Sequence, residues 1–138
     1  MARLPRLRRR TRRSAPFLQG HHIDLLQGGE DFFPRLRAEI AAAQHYVFLE
    51  TYIIESDETG WSIARLLAER AEAGVFVAVM FDGFGSDDLD PDFINLLENA
   101  RVKLHAFRPV SFWRRSWPWT RRNHRKLVVI DGRVGLVG

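Results

Sequence analysis

The sequence predicts an α/β fold in which a largely parallel sheet is covered by helices. Three observations support this class: buried-strand patterns alternate with helical patterns, the helical patterns are about ten residues or longer, and a two-strand pattern closes the sequence. The last pattern adds an antiparallel element to the sheet. With 138 residues and 46% hydrophobic side chains, the chain can form one packed domain.

The individual elements follow from the spacing of apolar residues. Helices are predicted from residue 28 onward, over 61–73 with Gly74 as a helix-ending glycine, and after Asp90-Pro91, which provide an N-cap and a first helical residue. Strands are predicted over 46–54, 75–81, 102–107, 124–130 and 133–137. The run over 75–81 is continuously apolar, as in strands buried on both faces. Asp131-Gly132 predicts a two-residue hairpin turn.

Charge is distributed very unevenly along the chain. Residues 1–13 contain seven arginines and no acidic residue, whereas the remainder holds 14 basic and 17 acidic side chains. We predict a basic, disordered tail over 1–19 and a domain over 20–138. Such a tail attracts polyanions, either an anionic lipid surface or nucleic acid, and a solvated N-terminus without a partner is the alternative.

Composition excludes several kinds of site. The chain has no cysteine, which rules out disulfides, thiolate metal sites and a cysteine nucleophile. No stretch without a charged residue exceeds ten residues, against the roughly 20 that a membrane-spanning helix needs, so any membrane contact is expected to be peripheral. His21 and His22 are adjacent and cannot share one face of a helix or strand, and no metal site is predicted.

The strongest chemical signal is the segment from Asn123 to Asp131. On a strand, His124 and Lys126 project from the same face, one step apart. An imidazole can attack phosphorus while an ammonium stabilises charge on the non-bridging oxygens, so the pair suits attack on a phosphodiester. Taken singly, His124 would be a structural or surface histidine and Lys126 a solvated charge, and only their combination indicates a site.

Three carboxylates each have two interpretations. Asp131 lies where the predicted strand turns, and it is either the first residue of the turn or part of the site. Glu50 lies on an otherwise apolar strand, where an unpaired carboxylate is costly to bury; it bonds the imidazole or a neighbouring cation, or it lies at an exposed strand end. Asp82 follows the next strand, at the end where open α/β sheets bind ligands, and capping of the following loop is the alternative.

The pattern H-x-K-x4-D followed by glycines resembles the signature of the phospholipase D superfamily; its residues here are His124, Lys126, Asp131, Gly135 and Gly138. The stretches over 48–53, 81–86 and 121–126 resemble the cardiolipin synthases of that superfamily. The similarity runs in the same order from about residue 20 to residue 138.

This resemblance implies an α-β-α layered sheet, here the incomplete N-terminal lobe of a two-lobed enzyme in which two such motifs meet. It implies phosphatidyl transfer from phosphatidylglycerol to a hydroxyl of a second lipid, through a phosphatidylated histidine and without a metal or cofactor. His124 is then the nucleophile, Lys126 the phosphate ligand, and Asp131 the residue that orients or supports the motif. The second motif, with its acid and base, is missing or comes from another chain. The side chains predicted to bind substrate beside them are Glu50, Asp82 and Asn123.

A basic and aromatic stretch precedes the motif. From Arg101 to Lys126 there are nine basic residues and no acidic one. The aromatic residues interleaved with them are Phe107, Phe112, Trp113, Trp117 and Trp119. Tryptophan beside arginine is typical of a membrane interface, but the same mixture also suits single-stranded nucleic acid or an ordinary surface loop. The neighbouring resemblance, and not the chemistry of the stretch itself, favours lipid.

The leading hypothesis is a peripheral phosphatidyltransferase at the cytoplasmic face of the cell membrane, with anionic phospholipid as its partner and nucleic acid not expected. One alternative is a single-motif phosphodiesterase or nuclease that completes its site by dimerising, and another is an inactive, truncated fragment. Truncation is expected because the chain stops at Gly138, beside a strand predicted to be buried, and an uncovered apolar strand edge promotes aggregation.

Overall fold

The computed structural model describes residues 19–109 and 122–138. The arginine-rich tail and the tryptophans of the basic and aromatic stretch lie outside these residues, so the expectations for them stay predictions. The described elements, in chain order, are α1 (Gly28–Ala41), β1 (Tyr46–Thr51), α2 (Glu58–Glu72), β2 (Phe76–Asp82), α3 (Pro91–Asn99), β3 (Lys103–Phe107), β4 (Leu127–Ile130) and β5 (Val134–Val137).

The five strands form one open sheet in the order β3-β2-β1-β4-β5. β1, β2 and β3 are parallel, β4 runs antiparallel to β1, and β5 runs antiparallel to β4. The predicted α/β class and the antiparallel hairpin are therefore confirmed. With three helices against this sheet, the described residues are consistent with an incomplete α-β-α lobe.

The helix ends follow local rules. Asp90 is the N-cap of α3, where its carboxylate accepts an amide hydrogen bond at 2.8 Å, and Pro91 is the first helical residue. Gly74 follows the C-cap of α2 with a φ of 94°, a conformation that costs glycine little. α2 begins at Glu58, three residues earlier than predicted, because the carboxylate of Asp57 accepts an amide hydrogen bond at 2.7 Å and caps the helix there.

One face of the sheet packs against all three helices. The core on this face includes Leu36 and Ile40 from α1, Leu67 from α2, Leu97 from α3, and the strand residues Val47, Val79 and Ile130. On the other face, Phe48 and Phe76 are 45% and 50% exposed. β2, predicted to be buried on both faces, instead alternates between buried and more exposed side chains up to Met80. That alternation is expected where helices cover only one face.

The turn between β4 and β5 is close to the predicted one. Asp131 and Gly132 both have positive φ, 52° and 62°, and the amide of Arg133 donates to the carbonyl of Ile130 at 3.0 Å. However, Ile130 pairs with Val134, so Arg133 stays outside the ladder. Three residues, rather than the predicted two, therefore separate the paired strands.

The carboxylate of Asp131 ties this turn to the start of β1. It accepts amide hydrogen bonds from Gln44, His45 and Tyr46 at 2.8, 2.9 and 2.8 Å. The bond from Tyr46 contributes most to lowering the pKa of Asp131 to about 2, and the bonds from Gln44 and His45 add to it against an opposing effect of burial. Asp131 thus has the turn role that was one of its two interpretations.

The core assignment predicts a large difference between two Ile→Ala substitutions. Ile40 is 0% exposed, whereas Ile23 is 89% exposed and serves as the matched control. We expect Ile40→Ala to lower the free energy of unfolding by about 2–5 kcal/mol because it leaves a cavity. Ile23→Ala should change it by no more than about 0.5 kcal/mol. Urea unfolding measures both values, and equal effects would contradict the assigned core.

Asp131→Asn tests how much the Asp131 carboxylate stabilises the fold through its bonds to the start of β1. Asparagine tolerates positive φ and retains one acceptor oxygen, so the substitution removes the charge and the second oxygen. Because the folded-state pKa of about 2 lies below the usual 3.8, the ionised carboxylate stabilises the fold above pH 3.8, and this contribution is lost as the pH falls through 2. We expect the variant to unfold at lower urea concentration than the wild type at neutral pH, and this difference to shrink as the pH falls towards 2. If the difference in unfolding urea concentration does not change with pH, the charge of Asp131 is not its cause.

Candidate active site

The candidate site lies at the carboxyl ends of β1 and β2. Glu50 is the penultimate residue of β1, and Asp82 is the last residue of the parallel strand β2. The segment 122–126 reaches this edge just before β4, whose first residue, Leu127, pairs with Glu50. The structure therefore brings together at this edge the three residues predicted to bind substrate: Glu50, Asp82 and Asn123.

Asp82 is buried and fully bonded to protein donors. Its side chain is 0% exposed. One carboxylate oxygen accepts the amide of Phe84 at 3.0 Å and the guanidinium of Arg122 at 3.3 Å, and the other accepts the amide of Asn123 at 2.9 Å. Burial raises the pKa of Asp82, but the amide hydrogen bonds and the charge of Arg122 outweigh it and hold the pKa below its usual value. These bonds show the loop-capping role, and contact with a ligand remains a prediction.

Glu50 binds the same segment through a side chain. Its carboxylate accepts a hydrogen bond from the side-chain amide of Asn123 at 2.6 Å and lies 3.6 Å from the guanidinium of Arg125. The interpretation in which Glu50 bonds a neighbouring cation agrees with this geometry. Glu50, Asp82, Arg122 and Asn123 together form what we call the carboxylate clamp: two acids from adjacent strands that hold the residues before His124.

The strand predicted to begin at residue 124 begins three residues later, at Leu127. Its pairing with β1 ends at Glu50, and β1 itself ends at Thr51, so the segment 122–126 has no further ladder to join on that side. The alternation that was expected to place His124 and Lys126 on one face therefore does not apply to this segment. The clamp holds the first residues of this segment, and at its end the carbonyl of Lys126 accepts the amide of Gly138 at 3.0 Å.

His124 is exposed, and its ring lies flat against that of Tyr52. The two ring centroids are 4.1 Å apart and the planes differ by 12°. Tyr52 lies just beyond β1 and was not among the predicted site residues. The signal that could have found it is its spacing, since Tyr52 follows Glu50 by two residues and continues its side of the strand pattern.

Lys126 is also exposed. Together with Glu50 it lines a cavity of about 710 Å³ between the sheet and the helices. This volume falls within the range of about 300–1,000 Å³ that is usual for ligand pockets. Most of the surrounding side chains are apolar, including Leu36, Leu67 and Val128. His124 and Lys126 are thus both accessible to solvent.

Arg122 is a second residue that the sequence did not single out. Its guanidinium pairs with the carboxylate of Asp82 and stacks over the ring of Phe84, 4.9 Å from the ring centroid. Arginine suits such a position because its planar group can pair with a carboxylate and stack on an aromatic ring together. It lies within the stretch 121–126 that resembles cardiolipin synthases, but it is one of nine basic residues from Arg101 to Lys126, and no role was predicted for it.

Within residues 19–109 and 122–138, no cluster of three or more histidine, cysteine, aspartate or glutamate side chains is arranged to bind a metal ion. Among the described helices, none has the length and apolar character needed to cross a membrane.

Comparison with known proteins supports the resemblance. The chain is 41% identical to the cardiolipin synthase of Geobacillus kaustophilus over 114 residues, 38% identical to cardiolipin synthase B of Escherichia coli K12 over 122, and 35% identical to cardiolipin synthase A of Pseudomonas fluorescens over 123. These matches cover 83%, 87% and 89% of this chain, but only 23%, 29% and 26% of the relatives. No family model matches the chain.

The predicted resemblance is thereby confirmed, and the site described above lies within a chain that matches its relatives over more than four fifths of its length. Since three relatives from different bacteria agree, we conclude that this chain is homologous to a segment, about a quarter in length, of the cardiolipin synthases of the phospholipase D superfamily.

Proposed function

We propose that this chain provides one of the two H-x-K-x4-D motifs of a phosphatidyltransferase of the cardiolipin synthase type. The observation that carries the proposal is an exposed imidazole, that of His124, held at the carboxyl edge of the sheet in a chain homologous to cardiolipin synthases. The relatives extend well beyond the matched segment, so the complete activity belongs to a larger assembly than these 138 residues.

In the proposed reaction, a ring nitrogen of His124 attacks the phosphorus of phosphatidylglycerol and forms an N–P bond. The bond from phosphorus to the glycerol oxygen breaks, and an acid in the second motif protonates the departing glycerol. The same group then deprotonates a hydroxyl of a second lipid, whose oxygen attacks phosphorus and releases His124. The phosphatidyl group thus passes from phosphatidylglycerol to the second lipid, glycerol is released, and the intermediate is covalently bound to the histidine.

The other motif residues have supporting roles in this proposal. The ammonium of Lys126 stabilises charge on the non-bridging phosphate oxygens as the phosphorus becomes five-coordinate. Asp131 supports the motif from a distance, through its bonds to the start of β1. Glu50 and Asn123 lie at the edge where substrate is expected, and Asp82 holds the main chain there.

We also propose that the partners are anionic phospholipid and a membrane surface, with peripheral binding at the cytoplasmic face. The support is chemical. Nine basic residues and several aromatic ones lie between Arg101 and Lys126, and seven arginines lie within residues 1–13. Each basic residue near an anionic surface can contribute about 1 kcal/mol to binding. The second motif comes from the remaining length of a full enzyme or from another chain.

His124→Ala in a chimera tests the proposed function. Residues of this chain replace the aligned segment of Escherichia coli cardiolipin synthase B, to which it is 38% identical, so that the rest of that enzyme supplies what this chain does not span. We expect the chimera to form cardiolipin from phosphatidylglycerol, and His124→Ala to abolish turnover because the nucleophile is gone. Mass spectrometry of the lipid products measures the activity.

The matched control is His105→Ala, which removes an exposed histidine from β3 and should leave turnover unchanged. Full activity of the His124→Ala chimera would remove this residue from the mechanism, and a folded chimera that makes no cardiolipin would count against the assignment. Cleavage of plasmid DNA by a dimer of the chain itself, lost in His124→Ala, would instead support a single-motif phosphodiesterase.

A further inference from the structure

The carboxylate clamp reaches both members of the His124–Tyr52 stack. On the histidine side, Asp82 accepts the main-chain amide of Asn123, the residue immediately before His124. The side-chain oxygen of Asn123 in turn accepts the amide of Arg125 at 3.3 Å. The main chain is therefore bonded on both sides of His124, while the ring itself projects to solvent.

The same carboxylate also organises the loop that holds Tyr52. Asp82 accepts the amides of Phe84 and Gly85, at 3.0 and 3.4 Å. Gly85 then packs directly on Tyr52: a Cβ atom added at Gly85 would lie 2.5 Å from the carbonyl oxygen of Tyr52 and 3.2 Å from its ring. Ser86, the next residue, donates its hydroxyl to that carbonyl at 3.4 Å. One buried carboxylate thus contacts the supports of both rings.

The bonding of Asp82 leaves it unsuited to hold a ligand itself. It has no exposed surface, and protein donors occupy both of its oxygens. An ionised carboxylate in such a position is costly unless donors and a counter-charge replace its water, and Arg122 supplies that charge. The arrangement is therefore built to hold the surrounding chain, not to bind from solution.

We propose that Asp82, paired with Arg122, is a positioning residue that fixes the ring of His124 against Tyr52. The importance of that ring position for phosphatidyl transfer rests on the proposed function. The existence of the stack does not depend on the proposed function, because it is a structural feature of this chain. Two features follow: loss of the carboxylate charge frees the ring of His124, and the effect appears at His124 before any substrate is present.

The test is the chemical shift of the His124 ring protons in the 138-residue chain, measured by NMR. A tyrosine ring stacked at 4.1 Å shifts these resonances upfield, and Tyr52→Leu supplies the value without a stack. We expect the His124 ring protons of Asp82→Asn to lose the upfield shift, while the amide resonances of the sheet show that the chain is still folded. Asp90→Asn is the matched control, because it removes a carboxylate that caps α3 by a similar amide bond, and it should leave His124 unchanged.

A folded Asp82→Asn chain that keeps the upfield shift overturns the proposal, since Asp82 would then be merely structural. If this variant does not fold, Asp82→Asn combined with Arg122→Gln leaves no unpaired buried cation, and the upfield shift must again be lost. Gly85→Ala is an independent test in which Asp82 is unchanged. Its methyl group presses on Tyr52, and an unchanged His124 shift would contradict the link between this loop and the stack.

These outcomes are separate from those of the chimera. If His124 proves essential for cardiolipin formation while Asp82→Asn keeps the stack, only the positioning role fails. If His124→Ala leaves the chimera active while Asp82→Asn loses the stack, the proposed chemistry fails and the structural link stands.

Discussion

A carboxylate buried at the end of a central strand needs partners, and this requirement shapes the whole candidate site. Asp82 has no exposed surface, and removing an ionised carboxylate from water costs several kcal/mol unless donors replace the water. Its donors come from the loop after β2 and from Arg122 and Asn123, the latter 41 residues further along the chain. The segment before β4 is therefore fixed by electrostatics, whereas β4 itself is fixed by pairing and apolar burial.

This division explains what could be predicted from the sequence. The α/β order, the cap at Asp90 and the glycine at 74 depend on residues close together in the chain, and all three were predicted. The start of β4 and the roles of Tyr52 and Arg122 depend on contacts between distant residues, which no local pattern records. The motif indicated the candidate site, but strand alternation was the wrong basis for its geometry, because β4 joins β1 only from Leu127 onward.

β2 shows a similar limit of sequence patterns. Its apolar run predicted burial on both faces, yet Phe76 is half exposed while Val77 and Val79 are in the core. An apolar run shows that both faces of a strand can be covered, but it does not show what covers them. In the described residues the helices lie on one face, so Phe76 packs edge to face on Phe48 of the adjacent strand instead, with ring centroids 5.8 Å apart.

The way in which His124 is held is itself suited to a nucleophile. A hydrogen bond to a ring nitrogen would orient an imidazole but would also occupy one of its two nitrogens. A stack on Tyr52 fixes the plane of the ring through its face, and the lone pair that would attack phosphorus in the proposed reaction lies in that plane, at the edge. Because Asn123 and Arg125 are bonded through main-chain and side-chain groups on either side, the backbone needs no contribution from the imidazole nitrogens to stay in place. The clamp and the stack therefore restrict the ring while leaving exposed the edge that the proposed reaction needs.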